Sequence, residues 1–135
     1  MEKYDIKILL ILLKSIEGRK DFFKWLIENG YPELAAFSNA IRGDKEALKW
    51  LFSNHFEPLG IIVNAIDGMQ QAYDWLAKGS HPVNLMLAMA SRHDEKAQQW
   101  LKERNLDIFL MMADAIYEVN QVLDAELSSP YVWRR

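Results

Sequence analysis

The sequence predicts an all-helical domain, built as a stack of four copies of a two-helix hairpin of 25 residues. Three observations carry this expectation. Trp25, Trp50, Trp75 and Trp100 fall at a single spacing and each is followed by Leu. Ala40, Ala65, Ala90 and Ala115 keep the same spacing, and further columns keep chemical type: Phe37, Ile62, Leu87 and Met112, then Ala36, Ile61, Met86 and Met111. Within each unit, apolar residues recur at helical intervals and Gly or Pro interrupts them midway. Self-similarity at a period of about 20 to 50 residues is the signature of units that bury their apolar faces only by stacking.

The first hairpin sets the pattern. Over 20–29, Phe22, Trp25, Leu26 and Asn29 stand at i, i+3, i+4 and i+7, with Lys20, Asp21, Lys24 and Glu28 opposite, as in an amphipathic helix. Gly30-Tyr31-Pro32 ends it, and Pro32 opens the second helix, where a missing N–H costs nothing. Pro82 repeats that role and Pro58 lies one column later. The second helix ends at Gly43 and its counterpart at Gly68, the residue suited to a left-handed C-terminal position. Asp44 and Asp94 stand where an N-cap opens the next helix.

The second helix of each pair is apolar around most of its circumference: Leu59, Ile61, Ile62, Val63, Ala65 and Ile66 leave only Asn64 and Asp67 clearly polar. It reads as an inner helix, and the Ala column marks where a neighbour approaches closely. A helix over 3–17 is expected to cap one end of the stack. The last inner helix, running from 107 to about 127, is expected to cap the other with Val119, Val122, Leu123 and Leu127. The predicted organisation is one domain over 1–127: cap 1–17, repeats 18–42, 43–67, 68–92 and 93–117, C-terminal cap 118–127, and a tail over 128–135. At interaxial distances of about 8 to 10 Å, the stack would be roughly 40 Å long.

In its manner of construction the pattern resembles the α-solenoids, such as the tetratricopeptide and HEAT families. The resemblance implies an architecture and no more, because those units are longer and neither the Pro-terminated tetratricopeptide consensus nor the Thr-Pro-Leu-His signature of ankyrin repeats occurs here.

Composition narrows the function classes. Of 135 residues, 50% are apolar and 26% charged, as in ordinary globular domains. The absence of cysteine excludes disulfides, thiolate catalysis and thiolate metal sites. A net charge of -3, with sixteen basic residues scattered along the chain, provides no block to neutralise a nucleic-acid backbone. The apolar run 8–13 is too short for a membrane span and lacks the basic flank of a signal peptide, so a cytoplasmic protein without a membrane segment is expected.

Each conspicuous residue has a structural reading beside a functional one. The tryptophans are expected in the core, their indole N–H groups bonded to backbone carbonyls; Trp133 breaks the period. His55, His81 and His93 lack metal-ligand spacing, and no metal or cofactor is expected. Glycine-rich phosphate loops and nucleophile elbows are absent. The candidate surface is a polar stripe on the inner helices, Asn39, Arg42, Asn64, Asp67, Arg92 and Asp114, whose structural reading is an ion-pair ladder with Arg42, Asp67 and Arg92 alternating in sign. The stripe predicts a non-catalytic module that binds a protein or peptide. Alternatives are a small-molecule binder or enzyme with a pocket in the stack, and a nucleic-acid-reading repeat, which the charge disfavours. The oligomeric state stays open and turns on whether Phe23, Phe52 and Tyr73 form an exposed patch. Because the Ala column marks close helix approach, Ala65→Leu is expected to lower stability by roughly 1 to 3 kcal/mol through overpacking, measured by urea unfolding.

Overall fold

The computed structural model describes residues 1–128, and among these it holds nine helices and no strand. They are α1 (Ile6–Ile16), α2 (Lys20–Glu28), α3 (Pro32–Ile41), α4 (Lys45–Ser53), α5 (Glu57–Ile66), α6 (Gln70–Lys78), α7 (Pro82–Ala90), α8 (Glu95–Glu103) and α9 (Asp107–Ser128). Among the described residues, no helix is long and apolar enough to cross a membrane.

Local chemistry sets these boundaries. Asp44 accepts the backbone N–H groups of Glu46 and Ala47, Asp94 that of Ala97, and Asp5 that of Lys7, each filling donors left open in a first turn. Pro32 and Pro82 occupy first helical positions and Pro58 a second. After α1, α3, α5 and α7 the chain turns through a left-handed residue: Gly18, Gly43, Gly68 and His93. The next N–H, of Arg19, Asp44, Met69 and Asp94, returns to the carbonyl of Lys14, Asn39, Asn64 and Met89. This C-terminal bond, typical of helices closed by a left-handed residue, recurs at 25-residue intervals. A second series, from Tyr31, Phe56 and Leu106 to the carbonyls of Leu26, Leu51 and Leu101, closes α2, α4 and α8. The turn after α6 departs from it, with Gly79 extended at φ -78° and ψ 172°.

Burial divides the helices into two classes. The odd-numbered helices carry most of the core. At one position of each, Leu12, Phe37, Ile62, Leu87 and Met112 have no exposed surface. One position of the even-numbered helices, Leu26, Leu51, Leu76 and Leu101, is buried just as consistently. The odd helices pack in succession, α1 on α3, α3 on α5, α5 on α7 and α7 on α9, and each even helix lies against the odd helix before it and the one after it. No even helix lies against another among the described residues. Side chains between successive odd helices are small: Ser15, Ala40, Ala65, Ala90 and Ala115 are buried, and the hydroxyls of Ser15 and Ser38 meet at 2.8 Å.

Two expectations are corrected here. A linear stack would hold α1 and α9 apart at opposite ends, yet α9 packs against α1. Similar rotations at each step curve a row of helices, and five odd helices suffice here to bring the last against the first. The extension of α9 therefore caps no free end: Leu123 comes within 3.9 Å of the place a side chain at Gly43 would occupy, and Val122 remains exposed.

The tryptophans are not buried in the core. Trp25 and Trp100 pack against it half-buried, while Trp50 is 36% and Trp75 50% exposed, and no indole N–H finds a protein acceptor among the described residues. An even helix presents only a narrow edge to the two odd helices beneath it, and Leu occupies that edge. The adjacent Trp, about 100° around the helix, lies across the turn instead. Trp25 stacks on Tyr31 (centroids 6.2 Å) and Trp50 on Phe56 (5.8 Å), while the Arg104 guanidinium lies 4.0 Å over Trp100. His81 holds the corresponding sequence position after Trp75. Phe23 and Tyr73 are half-buried and only Phe52 of that trio is exposed, so they form no common exposed patch. Trp133 and the tail beyond Ser128 lie outside the described residues.

Leu51→Ala is therefore expected to lower stability by about 2 to 5 kcal/mol. Trp50→Ala, although it removes a larger side chain, should cost less; urea unfolding of the two variants checks the order.

Candidate functional site at the C-terminal pole

The odd-numbered helices point the same way, so the C-terminal ends of α1, α3, α5 and α7 gather at one pole. At equivalent positions, spaced by 25, stand Glu17, Arg42, Asp67, Arg92 and Tyr117. By that register α9 runs on for about three turns, and this extension crosses the pole, leaving an open groove on each side of Leu123. One groove, of about 540 Å³, is lined by Glu17, Arg42, Glu118, Val119, Val122 and Glu126, among others. The other, of about 390 Å³, is bounded by Ile41, Ile66, Asp67, Arg92, Tyr117 and Gln121, among others.

The two arginines have a shared structural task. Arg42 donates through Nη2 to the carbonyl of Ile16, and Arg92 through Nη1 to the carbonyl of Ile66 at 2.9 Å. Each thus satisfies a carbonyl at the end of the preceding odd helix, where intrahelical donors run out and the helix dipole favours a cation. Gly18 and Gly68 make this possible. A side chain at either glycine would stand 2.9 or 3.1 Å from the guanidinium, and both glycines hold left-handed backbones, with φ of 101° and 89°. The expected ladder does not form, since no ion pair joins Arg42, Asp67 and Arg92 among the described residues. The carbonyl ends lie within reach of the guanidinium groups and draw them away from the carboxylate.

Asp67 stands between these two arginines in the series. Burial pushes its carboxyl above the ordinary value of 3.8, and the Arg92 charge opposes part of that rise. Tyr117 carries the imidazole of His93, stacked at 3.4 Å and nearly parallel.

The sequence-predicted stripe divides into two groups. Arg42, Asp67 and Arg92 share the pole. Asn39 borders a neighbouring hollow that Arg42 also lines, with Asp44 and Lys45 at the start of α4, and Asp114 lies in another beside Gln98 and Lys102 of α8. Asn64 is half-buried on α5 and lines neither polar groove. Glu17 and Tyr117 were missed, although both continue the series of Arg42, Asp67 and Arg92 by one period in each direction. Leu123, Gln121 and Glu126 carried no periodic signal, because they lie beyond the columns that recur at the 25-residue spacing.

Chemically, the pole can hold an extended chain segment: its grooves are open, have apolar floors and carry carboxylates and amides on their rims. No serine hydroxyl is hydrogen-bonded to a histidine or carboxylate among the described residues, and no three His, Asp or Glu side chains there converge as a metal site. Set against models of known protein families, curated proteins and solved structures, the chain matches none.

The Asp67 environment has a measurable sign. With its folded pKa above the unfolded value, stability contributed by the protonated form is complete below 3.8 and is lost as pH rises through the folded pKa. Asp67→Asn is accordingly expected to stabilise the protein at pH 7 and to have no such effect near pH 3 in urea unfolding. Carboxyl titration by NMR should place Asp67 above its ordinary value, and higher again in Arg92→Met.

Proposed function

We propose that the chain is a non-catalytic helical-repeat module that binds a protein or peptide segment, curled until its first and last inner helices touch, and that the C-terminal pole is its recognition surface. The observation that carries this reading is the pair of open grooves flanking Leu123, floored by apolar side chains of α3, α5 and α9 and rimmed by Glu17, Asp67, Glu118 and Glu126. The 25-residue recurrence of caps, C-terminal bonds and buried columns supports the repeat organisation.

Charge selects among binding partners. Arg42 and Arg92 are both committed to carbonyls, while Glu17, Asp67, Glu118, Asp124 and Glu126 line the grooves near the negative ends of helix dipoles. Such a surface opposes a phosphate backbone and favours a segment with Lys or Arg side chains flanking an apolar residue. A cytoplasmic location belongs to the same reading and rests on the cysteine-free sequence.

Selection from a displayed random-peptide library on the immobilised protein tests this. Peptides combining basic and apolar residues are expected to be enriched, with affinities that fall as salt rises. Asp67→Lys combined with Glu118→Lys should weaken them by roughly tenfold, about 1.4 kcal/mol. Enrichment of no peptide, or equal binding by the double variant, would remove the pole as a recognition surface.

A further inference from the structure

Four even-numbered helices each cover a junction between two successive odd helices: α2 over α1 and α3, α4 over α3 and α5, α6 over α5 and α7, α8 over α7 and α9. Helix α9 also packs on α1, with a smaller contact to α3, and no even helix covers the α1–α9 junction among the described residues. The large apolar side chains left exposed on odd helices match that vacancy. They are Ile6 and Leu10 on α1 and Met111 on α9, with none on α3, α5 or α7, while Val122, also exposed on α9, lines the groove at the pole.

Register explains Leu10. It corresponds to Ala35 and Gly60, which are buried, and to Leu85 and Leu110, which are half-buried; a side chain at Gly60 would meet the Phe52 ring of α4, the even helix preceding α5. This position is thus covered from the preceding even helix. α1 has none, and Leu10 is 40% exposed. Met111 lies on the other flank. Its counterparts Ile11, Ala36, Ile61 and Met86 are half-buried on helices that each have a following even helix, whereas Met111, on α9, is 49% exposed.

We infer that the α1–α9 seam is a docking site for a short amphipathic helix of a partner protein, of the same kind as the four helices that cover the other junctions. Those four define the occupant. Each is nine residues long and inserts one buried Leu between two odd helices, with its large aromatic neighbour to one side. Lys7, exposed three residues before Leu10 on the same face of α1 and in no ion pair among the described residues, favours an acidic residue on the occupant. The seam is separate from the pole and engages a helix through an apolar edge, so either site can fail without the other.

The probe is a fluorescently labelled synthetic peptide of residues 44–56, which brings its own Asp44 cap, the acidic Glu46 and the buried-type Leu51. Titrated with the intact protein, its anisotropy is expected to saturate. Leu51→Ala in the peptide, or Leu10→Asp with Met111→Asp in the protein, should weaken binding by roughly tenfold or more. Asp67→Lys with Glu118→Lys should leave it unchanged. Because Leu10 and Met111 are exposed, the seam variant should keep its far-ultraviolet circular dichroism; if it does not, the peptide's Leu51→Ala comparison decides alone. Failure to saturate by about 1 mM, or indifference to the Leu51 substitution, overturns the proposal. So does a dimer in sedimentation equilibrium that Leu10→Asp dissociates, since a second copy would then be the occupant.

Discussion

The fold depends on five side chains that no single hairpin can hide. Leu12, Phe37, Ile62, Leu87 and Met112 each stand at the same place on an odd-numbered helix, and none reaches solvent. Burying one such side chain contributes about 1.5 to 3 kcal/mol, but an isolated pair of short helices has only one neighbour to offer it. Burial must come from the odd helices before and after and from the even helix laid across the junction. The small residues Ser15, Ala40, Ala65, Ala90 and Ala115 let those backbones approach. Serine hydroxyls that enter the core are paired there, in the Ser15–Ser38 contact and in the bond from the Ser91 hydroxyl to the Leu87 carbonyl.

Closure of the row from α9 back to α1 turns this local requirement into a global one. It places the C-terminal ends of the odd helices together at one pole and carries the extension of α9 across them. It also leaves the α1–α9 junction without a covering helix among the described residues. The grooves beside Leu123 and the exposed Ile6, Leu10 and Met111 are thus consequences of the same geometry, although one surface is rimmed by carboxylates and the other is an apolar edge.

Electrostatics at the pole follow from backbone chemistry before side-chain pairing. Helix ends expose carbonyls that need donors, and Arg42 and Arg92 supply them at alternate steps of the series. The intervening step carries Asp67, whose carboxyl is crowded enough to titrate above its usual value. Glycine at positions 18 and 68 serves both the left-handed turn and the space the guanidinium group requires. At the equivalent position His93 accepts the same backbone conformation, with φ of 64°, and its ring lies on Tyr117.

Much of this was legible in the sequence, because period, caps and helix breakers are local properties. Asp44 and Asp94, the prolines at 32, 58 and 82, the left-handed glycines at 43 and 68 and the division into inner and outer helices all follow from side-chain chemistry acting over a few residues. The Trp-Leu pair marked the outer helices but not which of its members is buried, since hydrophobicity ranks Trp highly while the contact edge buries Leu, joined by Ala72 in α6 and Ala97 in α8, and leaves Trp at its margin. Nor does the polar stripe reveal that Arg42 and Arg92 reach for carbonyls 26 residues away, or that Asn64 and Asp114 line neither groove at the pole. The sequence by itself determined the helices, their order and the positions that must be buried, because these rest on periodicity and local hydrogen bonding. Only the tertiary structure decided that α9 returns to α1, which carboxylates share a groove and which junction lies bare, because these depend on small rotations summed over five packed helices.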